Sequence, residues 1–224
     1  MTKAITCCAV LLGVLLLLAA AAPARDAAAH EKTATTPTSV EVKSVTVKLL
    51  DLELVDQDGR RVRLKSDVVG DRLVVIDVIY TSCPVVCPIL SSVFASLQES
   101  LGDRVGKDVV LLSISVDPTT DIPPRLKAYA ERWKAGPGWR FVTGQKRNVD
   151  EVLKGLNAWA PDFTDHPSMI LVGDGRHGRW RRFYGFPSPA RVLAEVDSLA
   201  ARRQATSAEP PARTGRVASE GRDR

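Results

Sequence analysis

The sequence predicts an α/β fold: a central mixed sheet flanked by helices, with an extra β-hairpin at the N-terminal side of the body. Three observations carry that prediction. Arg72 to Tyr80 and Asp108 to Val116 are continuous apolar runs rich in Val, Ile and Leu, as expected of strands covered on both faces by helices. Between them, Ile89 to Leu101 repeats its apolar positions with helical period, which makes a β-α-β unit. Further on, Met169 to Val172 and Arg179 to Tyr184 flank Gly173-Asp174-Gly175-Arg176-His177-Gly178, the pattern of a second hairpin, and a helical stretch follows it.

Taken in order, the chain starts with Lys3 and an apolar stretch from Ala4 to Ala22, then Ala22-Pro23-Ala24. Residues 1–24 read as an export signal cut after Ala24, or as a retained membrane anchor, since about 19 apolar residues also suffice to span a bilayer. Lys3 on the short N-terminal side places the body outside the cytoplasm in either case, in the periplasm or on the outer face of the inner membrane. Cys7 and Cys8 within this stretch read as small apolar fillers. Residues 25–40, rich in Ala, Thr and Pro and containing His30, read as a flexible tether. The body is 41–201, and 202–224, Arg-, Ala-, Ser- and Pro-rich without apolar pattern, reads as a disordered basic tail.

Charge sorts with the ends. The formal net charge is +5, but residues 41 to 200 carry 22 Lys and Arg against 21 Asp and Glu, and residues beyond 200 carry 6 against 3. A nucleic-acid-binding body has no electrostatic support, because the excess belongs to the tail.

Within the body, Leu49 to Leu54 and Arg61 to Leu64 alternate around Asp56-Gln57-Asp58-Gly59, which predicts the lead-in hairpin. Ile122 to Lys134 predicts a helix with Pro123 and Pro124 tolerated in its first turn, and Trp139 to Val142 a short strand. Asn148 with Glu151 three residues later has the form of a capping box opening a helix to Trp159. Ser188-Pro189 opens the last helix, Ala190 to about Ala201. A β-α-β unit, a helix, and a terminal hairpin and helix make the thioredoxin arrangement, here with an N-terminal hairpin and an inserted strand and helix.

The cysteines of the body, Cys83 and Cys87, sit in Tyr80-Thr81-Ser82-Cys83-Pro84-Val85-Val86-Cys87-Pro88, on a strand-to-helix turn. Four residues apart, they share one face if the turn passes into helix, close enough to form a disulfide or to hold one metal ion. A helix N-terminus beneath them favours the thiolate. A bridge enclosing three residues adds little loop-closure stabilisation, so its value would be chemical.

Thr81-Ser82-Cys83-Pro84-Val85-Val86-Cys87-Pro88, then Ser115-Val116-Asp117-Pro118 with Asp121, then Asp165-His166-Pro167-Ser168 before a strand, resembles in order and spacing the SCO (SenC) family of copper-binding assembly factors for cytochrome oxidase. Val85 departs from the pattern, since many members carry an acidic residue there. The resemblance implies Cys83, Cys87 and His166 as ligands of one copper ion, Cu(I) or Cu(II), with Cys83 and Cys87 also a redox-active pair. In a thioredoxin-like fold the segment before the hairpin faces the Cys turn, so His166 can aim its ring at two thiolates. Asp165 reads either as a hydrogen-bond partner orienting that ring or as a plain loop carboxylate. Asp117, Pro118 and Asp121 read as shaping their loop and capping the next helix. His177 with Arg176, Arg179, Arg181 and Arg182 reads as a solvated hairpin tip or as docking to an acidic patch on a partner.

Two functions are expected from these residues. One is a copper metallochaperone delivering copper to the dinuclear copper site of cytochrome c oxidase during its assembly. The other is a thiol-disulfide oxidoreductase keeping the copper-site cysteines of the oxidase subunit reduced. The implied partners are that subunit, other copper chaperones or thiol reductases, and the membrane through an uncleaved N-terminal segment; nucleic acid is not among them. A thiol peroxidase, suggested by Thr81 two residues before Cys83, lacks the arginine that such a pocket needs near its sulfur.

Overall fold

The structure, a computed structural model, describes residues 40–208. The expected export segment, nearly all of the tether and most of the expected tail lie outside the described residues. In chain order the elements are β1 (Val42–Val45), β2 (Glu53–Asp56), β3 (Arg61–Arg63), a π-helical turn (Leu64–Val69), β4 (Leu73–Ile79), α1 (Val86–Leu101), β5 (Val109–Ser115), α2 (Pro123–Arg132), β6 (Trp139–Thr143), α3 (Lys146–Gly155), a 3-10 turn (Phe163–Asp165), β7 (Met169–Asp174), β8 (Arg179–Tyr184) and α4 (Pro189–Ala208).

Among the described residues one eight-stranded sheet runs in the order β1-β8-β7-β4-β5-β6-β2-β3. β4 and β5 are parallel, β5 and β6 are parallel, and β7 lies antiparallel to β4 on its other side. This is a thioredoxin-like sheet, β8-β7-β4-β5, widened by the inserted β6 and by the N-terminal hairpin β2-β3, which joins through β6. The central strands β4 and β5 are buried along their whole length because both faces are covered. Leu73, Val75 and Ile79 pack with α1, α2 and α4, and Val74, Ile76 and Val78 pack with α3 and the π-helical turn. Period-two alternation decides which layer receives each side chain.

Four details differ from expectation. β1, four residues of mixed exposure, pairs antiparallel with β8 at the sheet edge; so short and half-exposed a strand leaves no apolar alternation to read. Asn148 does not cap α3: Gln145 is the N-cap without a side-chain bond, and Asn148 Nδ2 instead donates to the Glu53 carbonyl at 2.9 Å. α3 stops at Gly155 rather than Trp159, where Asn157 turns to φ 51° and Arg182 donates to the carbonyls of Leu156 and Asn157. Finally, α4 continues past Ala201 to Ala208. Good helix formers fill Ala201 to Gln204, and Arg203 reaches the buried Asp174 carboxylate, so the order of the body extends beyond the expected boundary.

Candidate metal centre

β4 delivers the chain to a turn, Tyr80 to Val85, from which α1 rises. Cys83 is half-buried on that turn and Cys87 is buried in the first turn of α1, both as free thiols. The backbone N–H of Cys87 donates to Cys83 Sγ at 3.3 Å. Thr81 anchors the turn from below. Its N–H and hydroxyl both donate to Asp121, only 1% exposed, and Asp121 Oδ2 also accepts from Ser115 Oγ at 2.8 Å. Asp121 therefore pins the Cys turn to the end of β5. It does not cap α2, whose N-cap is Ile122 without a side-chain bond. Asp117 shapes the loop as expected, its Oδ1 accepting from Thr120 N–H at 3.2 Å.

The two thiols differ in acidity. Burial pushes Cys83 up, but the Cys87 N–H, the Cys87 thiol, the Val85 N–H and the Tyr80 hydroxyl outweigh it, and the thiol ends below its ordinary value. Cys87 is pushed well up, chiefly by burial, with the neighbouring Cys83 adding to it. The less buried sulfur, that of Cys83, is thus the readier thiolate, in the field of a helix N-terminus.

His166 follows the 3-10 turn Phe163–Asp165 and is half-buried. Burial lowers its pKa, against a smaller raising effect of the Pro167 carbonyl, so the ring is held neutral, the form that binds metals. Nδ1 lies 3.4 Å from the Pro167 carbonyl. A carbonyl only accepts, so Nδ1 carries the proton and Nε2 keeps a free lone pair. Tyr80 touches both sides of the site: its ring makes edge-type contacts with His166 at 5.9 Å and Phe163 at 5.3 Å between centroids. Its hydroxyl bond to Cys83, with burial second, pushes Tyr80 up to about 12. Among the described residues no three His, Cys, Asp or Glu side chains converge tightly enough to hold an ion. The structure brings Cys83 and Cys87 together and sets His166 at the same end of the sheet, one aromatic ring away. Beside His166 opens a cavity of ≈ 430 Å³, with Val116, Pro118, Leu153, Trp159 and Phe163 in its walls.

The lesser candidates separate. Asp165 is exposed, and the ring nitrogen of His166 meets Pro167 instead. The arginines do not form one patch, because β8 alternates: Arg179 and Arg181 point toward α4, whereas Arg182, 5% exposed, is buried on the opposite face against the end of α3. Arg176 sits at the exposed tip, 3.6 Å from Asp71. His177 Nδ1 lies 2.9 Å from Asp174 Oδ2, so it belongs to the hairpin's internal bonding.

Two residues near the site went unread in the sequence. In the sequence Tyr80 reads as the end of a strand and the start of the Cys segment, with no contact to His166 implied. Asp77 lies fully buried in β4 on the α1 side, with neither carboxylate oxygen hydrogen-bonded. Burial pushes it up to about 7, opposed only in part by the hydroxyl of the facing Ser113, which stands outside hydrogen-bond geometry. The signal was present: one carboxylate inside the apolar run Leu73 to Ile79, which hydrophobicity alone does not explain.

A SCO1/SenC family lipoprotein from Bacillus anthracis is 23% identical, with TM-score 0.60 over 70% of this chain and 98% of that one. BsSco, a member of the Sco family of cytochrome c oxidase assembly proteins, is 24% identical, with TM-score 0.59 over 71% of this chain and 96% of its own. Bradyrhizobium japonicum ScoI, solved with copper bound, is 24% identical, with TM-score 0.55 over 69% and 98%. Among curated proteins there is no match. The family model of SCO1/SenC matches residues 45–201.

Proposed function

The chain belongs to the SCO1/SenC family, and on that premise we propose that it is a copper metallochaperone, exported or membrane-anchored, delivering copper to the dinuclear copper site of cytochrome c oxidase during assembly. Cys83, Cys87 and His166 are its proposed ligands, one ion per domain. The observation that carries the proposal is the donor set at the carboxyl end of β4: a readily ionised Cys83, a partnered Cys87 and a neutral imidazole with Nε2 free. Two soft sulfurs and one imidazole suit copper in both oxidation states. Holding one ion with all three requires His166 to close on the thiols past Tyr80. A relative's bound copper in the same fold supports the reading, as does a relative's membership among oxidase assembly proteins. The cavity beside His166, with an apolar wall and with Asp117, Lys146 and Asp150 also lining it, suits docking of a client segment.

Copper stoichiometry tests it. Reduced protein should bind one equivalent, and the Cys83–Cys87 disulfide form little, because a disulfide offers no thiolate. His166→Ala should lose most Cu(II) affinity and the thiolate-to-copper charge-transfer colour while keeping Cu(I) on two thiolates. Equal loading of oxidised and reduced protein removes both cysteines as ligands, and unchanged Cu(II) affinity in His166→Ala removes the imidazole.

The opposed acidities of the two thiols favour a second activity, thiol-disulfide exchange. Cys83 thiolate attacks a client disulfide, forming a mixed disulfide and releasing one client thiolate. Cys87 gives up its proton and attacks Cys83 Sγ, the Cys83–Cys87 bond forms, the second client thiolate leaves, and two electrons have passed to the client. Alkylation at neutral pH should label Cys83 faster than Cys87 by about tenfold or more. Equal labelling rates remove the division of roles.

A further inference from the structure

The Cys turn occupies one end of β4, and at the opposite end of the sheet lies a second concavity. Between β1, β8 and α4 a cavity of ≈ 390 Å³ has Ser44, Arg179, Arg181, Glu195, Ser198 and Arg202 in its walls. The sequence explains this convergence. Alternation on β8 turns Arg179 and Arg181 to one face, and the spacing of Glu195, Ser198 and Arg202 on α4, three and then four residues, sets them on one side of that helix. Register places the cavity away from the thiols: Ser44 pairs with Arg181, Arg181 with Val172, and Val172 with Val75, while Asp174 and Arg179 face the start of β4. The Cys turn begins only after Ile79, and seven strand residues span about 20 Å.

Three guanidiniums here face one carboxylate. That is not background, because the body carries nearly equal numbers of acids and bases. The internal partners do not satisfy the cations. Arg181 Nη1 donates to Ser44 Oγ at 2.7 Å, but its Nε is closed off from solvent without a hydrogen bond, Glu195 Oε2 standing 3.5 Å away. Arg179 Nη1 is also closed off from solvent without an acceptor. A ligand in the open cavity meets not these closed-off N–H groups but the solvent-facing parts of the Arg179, Arg181 and Arg202 side chains. A tetrahedral dianion matches the surplus of two positive charges, and its oxygens match planar guanidinium forks.

We propose that this cavity binds the phosphate group of an anionic ligand, with Arg179, Arg181 and Arg202 as the guanidinium clamp and Ser44 and Ser198 as hydroxyl partners. The phosphate comes either from a soluble phosphoester or from the headgroup of an anionic phospholipid. The size of the cavity suits a phosphate with part of its ester rather than an extended ligand.

The test uses the full chain in neutral detergent, titrated calorimetrically with inorganic phosphate at constant ionic strength. Saturable one-to-one binding is expected, weakened by about tenfold or more in the double variant Arg179→Gln, Arg202→Gln. Arg179→Lys, which keeps the charge but loses the fork, should fall between the two. Glu195→Gln, which removes the competing carboxylate, should bind phosphate more tightly than the parent. Repeating the titration in nanodiscs identifies the source: an apparent phosphate affinity lowered by phosphatidylglycerol but not by phosphatidylcholine shows headgroups in the cavity, and equal affinity in both shows a soluble phosphoester site. Binding unchanged in the double variant and in Arg179→Lys, or a heat that chloride reproduces at the same ionic strength, overturns the proposal.

Discussion

Two buried carboxylates on neighbouring strands have opposite surroundings. Asp174, at the end of β7, accepts from the Arg176 and His177 N–H groups, from Arg203 and from the His177 ring. Burial pushes it up, but Arg203 and His177 prevail and hold it well below the usual carboxylate range. Asp77, in the middle of β4, has no hydrogen-bond partner for either oxygen and is pushed up to about 7 by burial. Both are closed off from solvent, but Asp77 lies deeper, in mid-strand, whereas Asp174 lies at a strand end among charged and N–H partners, and depth and partners act together. At the hairpin end the fold satisfies its buried charge and gains a fixed structure. On the thiol side it leaves a carboxylate unsatisfied, in a layer that contains Cys87, Ser91 and Tyr129. Strain of this kind is tolerated when the rest of the core over-determines the backbone, and here β4 is held by β5 on one side and β7 on the other.

The contrast is sharpest in its pH dependence, and the largest effect is expected at Asp77. Its folded pKa lies above its unfolded value, so the native state holds the proton more tightly and the wild type loses stability as pH rises from about 4 to about 7. Asp77→Asn has no such loss. Between pH 4 and pH 8 the stability of the variant relative to wild type should therefore rise by about 4 kcal/mol, read from urea unfolding midpoints and slopes. A pH-independent difference between the two proteins would mean that Asp77 is not raised.

Asp174 should behave with the opposite sign. Its folded pKa is depressed, so its stabilisation is present above the unfolded carboxylate value and is lost as pH falls through the folded one. Asp174→Asn should cost about 3 kcal/mol at pH 7, because Arg203 and the hairpin N–H groups lose a charged acceptor. The cost should shrink as the wild type is acidified. A cost that grows on acidification breaks the comparison.

The smallest of these effects concerns Asp121, the carboxylate that joins the two regions by tying Thr81 to Ser115. Asp121→Ala should destabilise the fold by about 2 kcal/mol, since its bonds are charge-assisted. More tellingly, it should narrow the difference in alkylation rate between Cys83 and Cys87, because the turn that sets their environments loses its anchor. Preserved selectivity would place the control in α1 rather than in Asp121.

The fold was largely legible because its signals are local. Two apolar runs, the Cys turn and a hairpin with a glycine-rich connection survive in the sequence as pattern, and β4, α1, β5 and the β7–β8 hairpin fall where they were expected. Asn148 shows where pattern misleads: a capping box spells out a helix start, yet the same amide reaches a carbonyl in β2, which only tertiary contact supplies. The arginines of β8 show it again. A cluster in one dimension was divided between two faces by the pleat.

By itself, then, the sequence determined the order of the main elements after β1, the placement of two thiols on a strand-to-helix turn and the candidate donor His166, because spacing and periodicity are properties of neighbours along the chain. Only the tertiary structure decided that Cys83 is the acidic thiol, that Asp121 fastens its turn, that Tyr80 stands against both Cys83 and His166, and that Asp77 is stranded while Asp174 is satisfied. Each of these depends on which groups from distant strands and loops meet in a low-dielectric interior, and a charge or hydrogen bond there is set by its partners in space rather than by its place in the chain.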